Sequence, residues 1–309
     1  MKFLFLFLMF PLLAQAQTLP GDSVINIASL RNTVNYLSAD SLRGRLTGSA
    51  GALSAADYIA TRYAAIGLIT QSNKSGYFDS FPAYHQKKVT GVNIVGLLPA
   101  EIPNDSFVIF SAHYDHIGVG RDLALNKDFR SDDDIYNGAN DNASGVAALL
   151  ELAQYYSNLA GRRYNLLFIA FAGEELGMVG SSAYVKKTYL KVIKAMINLE
   201  MLGRPGTGGC YIISFGNRKL KNQLNENLKR STGEEKDFFR SDPYYGEELV
   251  YRSDHYPFTR KVKNAFTIMA TSPTDEFYHT VDDEYETIDF DFLLTATRKI
   301  ALACELFIK

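Results

Sequence analysis

Six side chains in this chain are of the types that bind metal ions or move protons, and each falls where a backbone run ends or turns. His113 follows the apolar run 106–112, Glu174 and Glu175 follow 164–172, Glu200 follows 192–199, and His279 lies in the loop after 265–270. The sixth, Asp141, sits in Gly138-Ala139-Asn140-Asp141-Asn142-Ala143-Ser144-Gly145. There a loop gives way to a helix that sets Val146, Leu149, Leu150, Ala153 and Tyr156 on one face. Unpaired backbone N–H groups gather at a helix start, so a carboxylate there is expected to be held and to stay ionised.

Histidine and carboxylate side chains are zinc donors. Two zinc ions close together take about six ligand groups, one of them shared. His113, Asp141, Glu175, Glu200 and His279 supply five residues, and a bridging water completes the set. The expected arrangement puts one Zn2+ on His113, Asp141 and Glu200, and a second on Asp141, Glu175 and His279. Glu174 and Glu175 are adjacent, so their side chains diverge. One can reach a metal while the other reaches a water, which makes Glu174 the expected general base of a hydrolase. Asp115 stands two residues from His113, on the same side of extended chain. Its carboxylate is expected to accept the second imidazole N–H and fix the ring.

Each residue also has a simpler reading. An Asp before a helix is most often a cap, and an acidic pair at a helix start is favoured by the dipole. A strand-end His can be a core side chain, and His116 is as readily a structural loop hydrogen bond as a site residue. The combination in one chain is what favours a metal centre.

The elements that must position these residues alternate. Helices are predicted over 23–40, from Ser54 to Ile66 with Gly67 as the C-terminal stop, after Gly177 through Lys187, over 220–228, and over 290–308. Strands are predicted at 89–98, 106–112, 164–172, 192–199, 211–215 and 265–270. The stretch 73–85 reads as loop, and Arg43-Gly44-Arg45-Leu46-Thr47-Gly48-Ser49 as a solvated turn. Alternation of this kind implies an α/β fold, with a mostly parallel or mixed sheet covered on both faces. Sites in such folds collect beyond the carboxyl ends of the strands, where these candidates fall.

Composition sets outer bounds. Met1-Lys2, the almost wholly apolar run 3–13 and Ala14-Gln15-Ala16 read as a signal peptide cut after Ala16. The protein is therefore expected to be exported, to the periplasm or the medium, with residues 17–309 as one domain. The run is too short to span a bilayer, and no later stretch suits a transmembrane anchor. No cysteine follows the run, which argues against a lipid anchor. A net charge of −2 gives no electrostatic case for nucleic acid or anionic membrane. Cys210 and Cys304 could form one bridge, which the sequence leaves open. Asp132-Asp133-Asp134 lacks the glycine and terminal glutamate of an EF-hand loop and reads as solvated insertion.

Taken in order, Ala112-His113-Tyr114-Asp115-His116, the stretch 138–145, Gly173-Glu174-Glu175-Leu176-Gly177, Asn198-Leu199-Glu200-Met201 and Tyr278-His279-Thr280 resemble the secreted di-zinc aminopeptidase family, which includes glutamate carboxypeptidase and glutaminyl cyclase relatives. The N-terminal region 43–66 is also similar to bacterial members. The resemblance implies a three-layer α/β/α sandwich with a mixed, mostly parallel sheet, two Zn2+ ions and a peptide substrate. It implies the bridging role for Asp141, the base role for Glu174 and ligation by His113, Glu175, Glu200 and His279. Many family aminopeptidases have Asp where this chain has Glu200, which bears on the preferred substrate. Competing functions are a glutamate-carboxypeptidase-like peptidase, a glutaminyl cyclase and a non-catalytic binding module. The last should have lost ligands or the base, and this chain keeps them all. The sequence leaves the preferred residue and the oligomeric state open.

Overall fold

The computed structural model describes residues 24–71, 76–120, 133–189, 192–206, 208–215, 218–271 and 275–309. The apolar run 3–13, the cleavage site at Ala16 and Asp132 lie outside the described residues. The strands, in chain order, are β1 (Phe78–His85), β2 (Lys87–Leu98), β3 (Phe107–His113), β4 (Gly118–Val119), β5 (Ile135–Tyr136), β6 (Asn165–Phe171), β7 (Ile193–Glu200), β8 (Cys210–Ile213), β9 (Phe239–Ser241) and β10 (Ala265–Met269). The α-helices are α1 (Ile27–Leu37), α2 (Ala50–Ile66), α3 (Gly145–Ser157), α4 (Val179–Lys187), α5 (Arg218–Thr232) and α6 (Phe290–Cys304).

Continuous apolar runs suit strands buried on both faces, and four of them form the centre of an eight-stranded sheet ordered β1-β2-β6-β3-β7-β10-β8-β9. β6, β3, β7 and β10 are mutually parallel. β1 and β2 close one side antiparallel, and β8 pairs antiparallel with β10 while β9 runs parallel to β8. β4 and β5 form a separate two-stranded ribbon. The sheet is thus mixed, with a parallel middle.

Alternation along the central strands divides the core into two layers. Val108, Phe110, Leu166, Phe168, Ile197 and Phe266 point to the side covered by α1, α2, α3, α5 and α6. Ile109, Leu167, Ile169, Met196 and Ala265 point to the other, covered by α4 and the segment around Phe258 and Val262. Helix α3 is buried nearly all round, because α1, α2 and α6 pack on its outer side. The three-layer α/β/α arrangement follows.

Three expectations need correction. Residues 78–85 are an edge strand, not loop: Asp79, Phe81 and Ala83 alternate inward, and Pro82 is tolerated because an edge strand need not donate on both sides. Helix α2 starts at Ala50, four residues before the predicted Ser54, because the Ser49 hydroxyl accepts from the Ala52 N–H as N-cap. Gly51, inside the first turn, is glycine for closeness: a Cβ there would lie 1.7 Å from the Leu42 carbonyl oxygen. The closing helix ends at Cys304 and continues as a 3-10 turn to Phe307. Cys210 and Cys304 are both buried free thiols.

Candidate metal centre

The candidates converge at the carboxyl ends of the parallel strands. His113 and Glu200 are the last residues of β3 and β7, Glu174 and Glu175 follow β6, and His279 follows β10. Asp141 lies between two histidines. Its Oδ1 is 3.2 Å from His113 Nε2, and its Oδ2 is 3.2 Å from His279 Nε2. Glu175 Oε2 is 3.3 Å from the same His279 nitrogen. His279 adopts φ +54°, a conformation that costs a non-glycine residue energy and recurs at functional sites. Its ring stacks on Tyr278 at 3.8 Å. His116 also belongs to the cluster: donor atoms of His116, Asp141 and Glu175 lie within 4.8 Å of one another.

Local sequence explains how Asp141 is presented. The stretch 139–144 is an irregular turn stapled to the chain after β7. Asn140 Oδ1 accepts from Gly203 N–H at 2.7 Å, Asn142 Oδ1 from Met201 N–H at 3.1 Å, and Ser144 Oγ from Leu202 N–H at 3.0 Å. The helix N–H groups expected to hold Asp141 are taken by others. Asn142 Oδ1 accepts from Gly145 N–H at 3.1 Å, and the Asp283 carboxylate accepts from the N–H groups of Asn140 and Asp141 at 3.0 Å each. Asp283 is held in turn by Arg204 at 2.8 Å, and Arg204 forms a two-pronged pair with Asp275. The Asp141 side chain is thereby left to the histidines.

Asp115 is also placed differently from the expectation. The nearest acceptor to His113 Nδ1 is the Asp115 backbone carbonyl at 3.2 Å, while the Asp115 carboxylate stands 3.8 Å away. That carboxylate accepts instead from the Thr47 hydroxyl at 2.8 Å and from Glu174 N–H at 3.3 Å, and Thr47 accepts from Gly173 N–H. Asp115 therefore positions the segment bearing Glu174 as well as the His113 loop.

The 43–49 segment is not a solvated turn. Arg45 is fully buried, and its guanidinium donates to the carbonyls of Tyr114, Leu37, Asn137 and Gly138. Burial pulls its pKa down to about 10 against the pull of Asp115, Asp283, Asp141 and Glu175, so it stays cationic at neutral pH. Glu200 is held from below: its Oε2 accepts from Asn198 Nδ2 at 2.9 Å. Asn198 also meets Ser111 and Thr267, and Thr267 meets His255. Asp254 is wholly buried within electrostatic reach of Glu174 and Glu200. Asn198 was findable, since it shares a strand face with Glu200. Arg45, Thr47 and Asp283 had no such signal.

The electrostatics separate the carboxylates into two pairs. Burial alone would raise all four. At Asp141 it is outweighed by His113 and His279, which hold the group well below the usual range, and at Glu175 by His279 and His116, which hold it at about 2. At Glu174 burial wins, with Glu175, Glu200 and Asp254 adding to it, and the carboxyl lies well above its ordinary value. Glu200 is pushed up to about 8 by burial and by Asp141 and Asp254. A surface cavity of about 450 Å³ is lined by Glu101, Asn104, Arg162 and Tyr164 and contains none of these residues.

The fold, a mixed eight-stranded sheet flanked by helices, matches that of solved zinc exopeptidases. BSAP, a zinc aminopeptidase from Bacillus subtilis, superposes with TM-score 0.70 at 17% identity, over 92% of this chain and 96% of that one. A Porphyromonas gingivalis glutaminyl cyclase matches at TM-score 0.70 and 18% identity, over 92% and 99%. In sequence, residues 93–304 match Peptidase family M28, and the chain belongs to that family. Aminopeptidase YwaD of Bacillus subtilis (strain 168) is 30% identical over 215 residues, 67% of this chain and 42% of that protein. The chain spans about two fifths of the length of the first curated relatives it matches. No described helix is long and apolar enough to cross a membrane.

Proposed function

We propose that this chain is a zinc-dependent aminopeptidase that holds two Zn2+ ions and removes N-terminal residues from peptides. The observation that carries the reading is the position of Asp141, with one carboxylate oxygen toward each of His113 and His279. Donor atoms on one tetrahedral zinc stand about 3.3–3.4 Å apart, from bonds of about 2.0–2.1 Å. The three histidine–carboxylate separations of 3.2, 3.2 and 3.3 Å fit that edge. His113 Nε2 is buried and has no hydrogen-bond partner despite the nearby Asp141 oxygen, so the pair fits a shared cation better than a hydrogen bond. These separations suit zinc, with His113 and Asp141 on one ion and Asp141, Glu175 and His279 on the other; Glu200, at the end of β7, is assigned to the first ion from the sequence.

Bound there, zinc supplies Lewis acidity that lowers the pKa of a water and polarises the scissile carbonyl. Glu174 takes the proton of the attacking water and passes it to the leaving amine. Burial raises its affinity for protons, which suits that exchange. Asp115 and Thr47 fix the backbone from which Glu174 projects.

Carboxylates crowd the centre and leave negative potential for a substrate ammonium. Recognition of a C-terminal carboxylate needs free cations, and the two described arginines that lie beside site motifs in sequence are engaged: Arg204 with Asp275 and Asp283, and Arg252 with Glu247 and the Tyr278 hydroxyl. The cyclase shares the fold, so the fold does not separate the two reactions. The placement of His113 against Asp141 supports the hydrolytic, two-metal reading. We further infer a single catalytic domain over 17–309, exported after removal of residues 1–16, in the periplasm or outside the cell. The test is a panel of aminoacyl nitroanilides beside N-acetylated counterparts and C-terminal glutamyl peptides. Free-amino substrates should be cleaved and blocked ones spared. Cleavage of the blocked or glutamyl substrates alone would overturn the aminopeptidase assignment.

A further inference from the structure

His116 follows the last strand residue of β3 by three positions, and its ring is fully buried between Gly138 and the candidate centre. A Cβ on Gly138 would fall 2.5 Å from His116 Cδ2, so only glycine there leaves room for the ring. The His116 and His279 rings meet edge-on at 5.6 Å. By residue type and proximity, His116, Asp141 and Glu175 could form a three-point metal site of their own.

One distance decides against Nδ1 as the donor of such a site, while Nε2 is buried without a hydrogen-bond partner, as His113 Nε2 is. His116 Nδ1 is 2.8 Å from Glu175 Oε1. Two donors on one zinc cannot approach so closely without compressing a tetrahedral edge of about 3.3–3.4 Å, while 2.8 Å is the length of an N–H···O⁻ hydrogen bond. The other histidine–carboxylate pairs in the cluster stand at 3.2–3.3 Å. A carboxylate only accepts, so the proton of this bond sits on His116 Nδ1. Glu175 is then divided: Oε1 is engaged by His116, and Oε2 faces His279 at 3.3 Å.

We propose that His116 is a positioning residue for the second metal: its Nδ1–H holds Glu175 so that Oε2 alone serves as ligand. This rests on the two-zinc reading above. The shape of the bond supplies its test. Asparagine places an amide N–H near the position of Nδ1, whereas glutamine places its own near Nε2. His116→Asn should keep the bond, and His116→Gln and His116→Ala should lose it.

The experiment titrates each protein, stripped of metal, with Zn2+ and with Co2+, reading stoichiometry and both dissociation constants by calorimetry and Co2+ absorption. Removing an outer hydrogen-bond partner of a ligand weakens metal binding about 10–100-fold. The Gln and Ala variants should lose that much at one of the two sites, and the Asn variant should stay near wild type at both. Denaturation of the metal-free proteins checks that the variants fold. Unchanged affinities in Gln and Ala overturn the proposal, and so does equal weakening in all three variants, which is what a ligand or a packing side chain would give. A wild-type protein that takes up no second ion overturns the two-zinc reading and this proposal with it. That result is read before any variant is compared.

Discussion

At the scale of single residues, two neighbouring carboxylates in one loop carry different charge environments. Glu175 touches two imidazoles and is held at about 2, while Glu174 faces other carboxylates in a buried setting and is held high. That difference is the physical basis for giving them different roles. Glu174→Gln keeps the size of the side chain and removes its ability to accept a proton. We expect the variant to fold, to retain two zinc ions by metal analysis and to lose about 10²–10⁴-fold in turnover. Near-normal turnover, or lost zinc, would show that the two roles have been exchanged. Asp141→Ala removes a carboxylate that lies against both His113 and His279. Both ions should be lost together, and metal analysis that still finds two per chain would refute a bridge at this position.

At the scale of elements, the supports of the centre come from segments far apart in sequence. Arg45 sits at the end of a 3-10 turn after α1, and it donates to carbonyls in the α1 end, in the loop after β3 and in the loop before Asp141. A single guanidinium fork thus fixes two of the loops that present candidate ligands. Arg45→Met would leave the buried carbonyls of Tyr114, Leu37 and Asn137 without this donor, Gly138 keeping the Ala143 N–H, and Arg45→Lys replaces a rigid fork with one point charge. Breaking such a buried arrangement costs about 3–5 kcal/mol. Chemical denaturation should show a loss of that order for Met and a smaller but clear loss for Lys; a change within about 0.5 kcal/mol would mean the buried network is dispensable. The same residue shows where sequence reading stops. The four central strands were legible because both faces are buried and the runs are continuously apolar. The ligand types were legible because each ends such a run. The edge strand 78–85 was hidden by Asp79, Ser80 and Pro82 among its alternating apolar positions. Arg45, Thr47 and Asp283 were hidden because their partners are carbonyls, N–H groups and carboxylates some 68 to 143 residues away for the long-range bonds, and a backbone carbonyl leaves no mark in sequence.

At the scale of the whole molecule, a polar network runs beneath the centre, through the sheet itself. Ser111 on β3, Asn198 on β7 and Thr267 on β10 are hydrogen-bonded in a row across three adjacent strands, and His255 closes the row through Thr267 at 2.8 Å. His255 is fully buried, and burial pulls its pKa from the ordinary 6.5 down to about 3. The sign of the consequence follows from proton counting. Below pH 6.5 the unfolded chain takes up a proton at this histidine, and the folded protein does not until about pH 3. The stability contributed by a neutral His255 is therefore complete above pH 6.5 and declines as pH falls toward 3, by about 1.4 kcal/mol per pH unit. Asp141 and Glu175, held low, and Asp254, pushed up to about 7, add their own pH dependence. The clean observable is consequently a difference. His255→Gln keeps a polar side chain near Thr267 but cannot take up a proton. Its stability deficit relative to wild type should be largest at neutral pH and should shrink by about 1.4 kcal/mol per unit between pH 6.5 and 4.5. Denaturant unfolding at several pH values measures both curves. A deficit that stays constant across that window would mean His255 titrates in the folded protein much as it does in the unfolded chain, and that the row across the sheet is open to water.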